Sequence, residues 1–155
     1  MARTSHSIML GFCLWVCSTT SLVAGGATED ITVTQLQVLA TSDGQINSAV
    51  YMQLENDCRC EDHALTAAYS PVANAVELHA YVNKGGMIEM RRIDEIELVA
   101  NSKVILEPGG LHVMLIGLKQ AINDGDSVPL TLEFEDGSMM ELMALAKSMP
   151  VMNHE

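Results

Sequence analysis

His79, Met90, His112 and Met114 are the residues of this chain whose types and spacing could do chemistry. They offer two imidazoles and two thioethers, with no thiolate among them. That is a soft, neutral ligand set, which suits Cu(I) and suits hard cations such as Mg²⁺ or Ca²⁺ poorly. His112 and Met114 stand at i and i+2, so on a strand both side chains leave the same face. His79 and Met90 flank the turn signal Asn83-Lys84-Gly85-Gly86. A hairpin centred between Lys84 and Gly85 predicts that His79 and Met90 are cross-strand neighbours, roughly 5 Å apart. A one-residue bulge in so glycine-rich a turn would break that register. The chain has 5 His and 11 Met, and such residues on strands are more often surface or core filler than ligands. The reading therefore depends on the elements that must bring these four together.

Those elements read as strands. Ile31 to Leu39 alternates β-branched or apolar residues with polar ones, the period-2 signature of a half-buried strand. Ala49 to Leu54 follows, and then a polar loop, Glu55 to Asp62, that carries Cys58 and Cys60. Ala64 to Tyr69 is stopped by Ser70-Pro71, and Val76 to Val82 places Glu77, His79 and Tyr81 on one face. Met87 to Ile93 is its return strand, with Met87 as a spare thioether or, more simply, a packing residue. Ile96 to Val99 and Lys103 to Leu106 come next. Pro108-Gly109-Gly110 then turns the chain into His112 to Leu118. Asn123-Asp124-Gly125-Asp126 leads to Val128 to Phe134, where Pro129 fits a strand start or edge. Asp136-Gly137 opens a hairpin to Met139 to Leu145. Short strands at regular spacing, with no long helical pattern, indicate an all-β fold, an antiparallel sandwich or barrel.

Residues 1–27 read as an export signal: Arg3, an apolar run from Ile8 to Cys17, and small residues in Ala24-Gly25-Gly26-Ala27. The run is too short to span a bilayer, so stable membrane insertion is not expected. Neither Cys13 nor Cys17 follows a convincing lipobox. Residues 28–147 then form one domain, and 148–155 a short tail with Met149, Met152 and His154, either frayed or an auxiliary copper-binding arm. The formal net charge of -12 argues against nucleic acid and anionic lipid, and the scarcity of aromatics weakens a stacking site. Export leaves Cys58 and Cys60 in an oxidising compartment. Three states are open for that pair: a labile disulfide, which ranks first; a soft-metal clip joined by His63, which ranks second; or free thiols.

With these residues in view, the chain resembles the periplasmic copper chaperones of the PCu(A)C type. That family's motif is His, ten residues, Met, twenty-one residues, then His-x-Met. Here ten residues separate His79 from Met90 and twenty-one separate Met90 from His112. The flanking text also fits: Val76-Glu77-Leu78-His79, Met87-Ile88-Glu89-Met90-Arg91 and Pro108-Gly109-Gly110-Leu111-His112-Val113-Met114. The resemblance implies a cupredoxin-like antiparallel β-sandwich of Greek-key type holding one Cu(I) per chain near its surface through His79, Met90, His112 and Met114. It further implies a monomer in the periplasm that delivers copper, commonly to the binuclear centre of a cytochrome c oxidase subunit, beside a thioredoxin-fold assembly factor. The Cys58-Arg59-Cys60 segment departs from the family pattern.

Thioethers do not oxidise to disulfides, so such a site can work in an oxidising compartment. Surface ligands would carry little core packing. A blue-copper electron carrier needs a Cys thiolate, and none lies near His112. No Ser-His-Asp arrangement or His-Glu-x-x-His motif points to an enzyme. The alternatives are a copper storage or resistance protein and a thiol-disulfide reductase acting through Cys58 and Cys60.

Overall fold

The computed structural model describes residues 26–42 and 44–148. A one-turn helix, α1 (Ala27–Asp30), is followed by ten strands: β1 (Ile31–Leu39), β2 (Asn47–Asn56), β3 (His63–Tyr69), β4 (Ala73–Lys84), β5 (Met87–Arg92), β6 (Ile96–Leu98), β7 (Ser102–Leu106), β8 (His112–Leu118), β9 (Ser127–Phe134) and β10 (Met139–Lys147). Each coincides with a strand run in the sequence: β1 and β8 as expected, β5 and β6 one residue shorter, and the others longer by one to three residues at one or both ends. Pro129 is the third residue of β9 and lies beyond the last pairing of that strand with β3, where a missing N–H disturbs no β3 ladder bond.

The strands hydrogen-bond in the order β5-β4-β8-β2-β1-β10-β9-β3-β6, with β7 also on β2. β3 also packs against β4, and β6 against β2 and β7, so the sheet folds over on itself into two layers. Between them lie Val50, Leu54, Leu65, Val113, Leu115, Leu130, Leu132 and Phe134, all essentially inaccessible. At roughly 1.5–3 kcal/mol for each large apolar side chain removed from water, this core is what fixes the strand faces. One pairing departs from the expected antiparallel pattern: β1 runs parallel to β10 while running antiparallel to β2.

Two local features set the geometry of β4, β5 and β8. The β4–β5 turn is made by Gly85 and Gly86, with φ of 63° and 90°. A two-residue hairpin loop that follows the strand twist needs positive φ at both central positions, and two glycines supply it without a Cβ penalty. The turn therefore centres between Gly85 and Gly86, not between Lys84 and Gly85, and Lys84 pairs with Met87. In β8, Gly117 adopts φ +66°, its N–H donates to Asn47 Oδ1 at 3.0 Å, and a Cβ there would meet Asn74 Nδ2 at 2.8 Å.

Candidate metal centre

Val113 and Leu115 of β8 point into the core, as do Val50 of β2 and Leu78 of β4. Strand alternation then puts His112 and Met114 on the opposite face, together with Tyr51 of β2 and with Glu77, His79 and Tyr81 of β4. Pairing joins them: His79 lies opposite His112, and Glu77 opposite Met114. The two imidazoles have ring centroids 5.8 Å apart. Tyr81 and Tyr51 complete the surround of His112, with ring centroids at 5.6 and 6.4 Å.

Met90 reaches this face from β5, but not in the register the turn suggested. It pairs with Tyr81, and His79 pairs with Arg92. The expected direct His79–Met90 pair is thus a diagonal one, at the roughly 7–8 Å such neighbours keep, because the glycine pair moved the turn centre by one residue. A shift of two in the pairing leaves every side chain on its predicted face, so His79, Met90, His112 and Met114 still share one face. Met87 does not join them. It alternates with Met90 onto the other face of β5 and is 68% exposed, neither a ligand nor a packing residue.

Hydrogen bonding assigns the imidazole nitrogens. Nδ1 of His112 lies 3.1 Å from the Gly110 carbonyl, which only accepts, so Nδ1 carries the proton and Nε2 keeps its lone pair. Nε2 of His79 lies 2.8 Å from a Glu77 carboxylate oxygen and donates to it. The other Glu77 oxygen is 3.5 Å from Arg92. This leaves the lone pair on Nδ1 of His79, and that atom is buried without any hydrogen-bond partner. A buried polar atom without a partner costs free energy unless something binds there. Burial also holds the pKa of His112 below the ordinary imidazole value, with His79 pushing the same way against the Gly110 bond. Desolvation, and then the charge of Tyr81 when ionised, raise that of Tyr51. His112 is only 3% exposed, which corrects the expectation that the ligands are all surface residues. Met90, at 43%, is the open side of the cluster.

The donor set fits Cu(I): two neutral imidazole nitrogens and two thioethers on one face. Among the described residues no group of three or more His, Cys, Asp or Glu is arranged to hold a metal ion, so a site of those types alone is not on offer there. The cysteine pair is elsewhere. Cys58 and Cys60 are joined as a disulfide, the first-ranked of the three states. His63 does not join them. It is buried and turned to Glu135 and Asp30, at 2.7 and 3.3 Å, because the apolar start of β3 packs inward. Of the signal segment only Gly26 and Ala27 are described, with Ala27 buried at the start of α1, and residues 1–25 and the tail residues Met149, Met152 and His154 lie outside the described residues. The alternation of β4 already placed Glu77 and Tyr81 beside His79. Tyr51 is not readable as a neighbour, since nothing local in the sequence sets the β2–β8 pairing, and Arg92 takes the place expected of Met90 because the hairpin centre lies one residue further on.

The profile of the LpqE-like family matches residues 31–145. The protein Lxx21020 of Leifsonia xyli subsp. xyli, whose name describes it as a candidate lipoprotein, is 29% identical over 88% of this chain and 82% of its own length. Protein RP573 of Rickettsia prowazekii is 32% identical over 59% of this chain, which spans about half of that relative at 51%. Among solved structures, the copper-bound PCuAC domain from PmoF2 superposes with a TM-score of 0.66 at 23% identity, over 77% of this chain and 94% of that one. The apo solution structure of DR1885 from Deinococcus radiodurans gives 0.63 at 27% identity, over 94% and 97%. Its Cu(I) form gives 0.61 at 30%, over 76% of each chain. The PCuAC domains have a cupredoxin-like β fold, and this chain shares it. No helix among the described residues is long and apolar enough to cross a membrane.

Proposed function

The chain belongs to the LpqE-like family, and from that premise we propose that it is an exported copper carrier, holding one Cu(I) through His79, Met90, His112 and Met114 and handing it to a recipient protein. The observation that carries this reading is the partnerless, buried Nδ1 of His79, on a ring whose centroid lies 5.8 Å from that of His112, with two thioethers on the same face. Copper-bound PCuAC structures support it, most directly Cu(I)-DR1885 at 30% identity. Names in the family and among its relatives describe lipoproteins, which supports export. Residues 1–27 would serve as the signal and the periplasm would be the working compartment.

In this reading His79 donates through Nδ1, His112 through Nε2, and Met90 and Met114 through sulfur. Thioethers and neutral imidazoles exchange readily at a d¹⁰ ion, which suits a carrier better than a store. The exposed Met90 side is where a recipient's ligands would enter. The binuclear copper centre of a cytochrome c oxidase subunit is the recipient we propose, reached directly or through a thioredoxin-fold assembly factor, with the carrier acting as a monomer and not as an enzyme.

An anaerobic Cu(I) titration against a chromogenic chelator tests the site, with the His112→Ala/Met114→Ala variant alongside and circular dichroism as a folding control. One tight equivalent, lost in a folded variant, is expected. Unchanged binding in that variant would remove these residues from the site. Transfer of the bound copper to an isolated oxidase copper domain tests delivery, and retention of copper by the carrier would favour storage instead.

A further inference from the structure

The Cys58–Cys60 disulfide plays no part in the four-residue site and little part in holding the fold. It closes across the single residue Arg59. The stabilisation a cross-link gives grows with the loop it closes, so it is smallest for so short a ring. The loop is also held without it. Asn56, 1% exposed, donates through Nδ2 to the carbonyls of Glu61 at 3.0 Å and Leu98 at 2.8 Å, and its Oδ1 accepts from Cys58 N–H at 3.0 Å. The N–H of Asn101 donates to the Cys58 carbonyl at 2.8 Å. Both ends of the loop are thus pinned by bonds that survive opening of the sulfur bridge. Cys60 is exposed and Cys58 half-buried, so the bridge is open to attack from solvent. It is also remote from His112. Tyr51 sits beside that ring, and β2 runs about 17 Å from Tyr51 to Asn56, at ~3.4 Å per residue, before the loop begins.

We propose that Cys58 and Cys60 form a second, redox-gated Cu(I) site, closed as the disulfide and opened when a dithiol of the thioredoxin type reduces it. This goes beyond the four-residue reading and does not depend on it. In the opening step a donor thiolate attacks one sulfur, the S–S bond breaks, and a mixed disulfide forms. The donor's second thiol resolves it, so two electrons pass to the pair, two protons are taken up, and the donor leaves as its own disulfide. Cu(I) then forms two Cu–S bonds, both thiol protons go to solvent, and copper keeps its oxidation state. Thiolates select Cu(I), and Cα atoms 5.4 Å apart hold both side chains within reach of one ion. His63, occupied by Glu135 and Asp30, supplies no third ligand. Asp57, Glu61 and Asp62 crowd the loop with negative charge. That charge works against the copper-bound pair, which is one unit more negative than the dithiol it forms from, and Arg59 between the two cysteines offsets part of it.

The test uses the chain with Cys13 and Cys17 replaced by serine, so that any thiolate signal belongs to the loop. One sample is kept oxidised. Another is reduced with dithiothreitol and desalted anaerobically. Both are titrated with Cu(I) against the chelator while the ultraviolet thiolate-to-copper charge-transfer band is followed. The reduced sample should take one equivalent more than the oxidised one, with the band. Adding Cys58→Ser/Cys60→Ser should abolish both the extra equivalent and the band. Equal copper in the two redox states, or extra copper that survives the serine variant, would overturn the proposal. In the His112→Ala/Met114→Ala background the reduced form should keep one thiolate-bound equivalent and the oxidised form none. Failure of the four-residue site, seen as an oxidised parent chain that binds no copper, is therefore read separately from failure of the loop.

Discussion

Glu77 should set the copper affinity without touching copper. Its carboxylate accepts from Nε2 of His79 at 2.8 Å, which fixes the proton on that nitrogen and leaves Nδ1, buried and partnerless, as the donor. A partner of this kind orients a ligating imidazole, raises its basicity, and is worth about 10–100-fold in metal affinity. Two substitutions divide that range. Glu77→Gln keeps an oxygen that accepts from Nε2–H but removes the charge, so about tenfold is expected, or ~1.4 kcal/mol. Glu77→Leu removes the acceptor, lets the proton distribute over both nitrogens, and should approach a hundredfold, or ~2.7 kcal/mol. Fold stability should hardly follow. The His79 side chain is 12% exposed, so water can replace the lost acceptor. The Arg92–Glu77 pair, with Arg92 68% exposed, contributes little. Chelator competition gives the affinities, and long-range ¹H–¹⁵N correlation of the imidazoles gives the tautomer in the copper-free protein. A wild-type spectrum with the proton on Nδ1 of His79 would refute the reasoning. So would wild-type affinity in Glu77→Leu alongside a loss in His79→Ala.

Three further outcomes follow from the packing. Burial works against the proton on His63, but its hydrogen bonds to Glu135 and Asp30 outweigh that and raise its pKa above the ordinary 6.5. The stabilisation this gives is complete below the ordinary value and lost as pH rises through the raised one. The gap in urea midpoint between wild type and His63→Gln should therefore shrink as pH rises above the ordinary imidazole value, and a constant or widening gap would contradict it. Gly117→Ala should destabilise by about 1–3 kcal/mol, from left-handed φ and the clash with Asn74, read as a lower melting temperature; an unchanged value would mean β8 relaxes at that point. His112→Ala should cost the copper-free protein about 1–3 kcal/mol in a denaturant titration, since the ring is buried between Tyr51, Tyr81 and His79. Full wild-type stability would mean that this surround collapses without loss.

The candidate site was legible because its geometry depends on parity more than on position. His112 and Met114 share a face by their spacing alone, and His79 joins Glu77 and Tyr81 by the alternation of β4. The hairpin centre was misplaced by one residue, which changes the sum of paired residue numbers by two. An odd change would have sent Met90 to the face where Met87 now stands and dissolved the cluster. An even one only exchanged its neighbour, Tyr81 for His79. What stayed hidden is what long-range pairing decides. Tyr51 meets His112 because β2 lies beside β8, and β1 runs parallel to β10 in the middle of the sheet, where strands from the two ends of the chain meet. No local pattern encodes either. The second-ranked clip, which joined His63 to the cysteine pair, fails for the same reason. The distance of three residues between Cys60 and His63 suggested a shared ligand set, whereas the inward packing of β3 delivers the His63 ring to two carboxylates from α1 and the segment after β9, which are far from it in sequence. Sequence proximity predicts contact only along a turn or a strand face; across a sandwich the core decides.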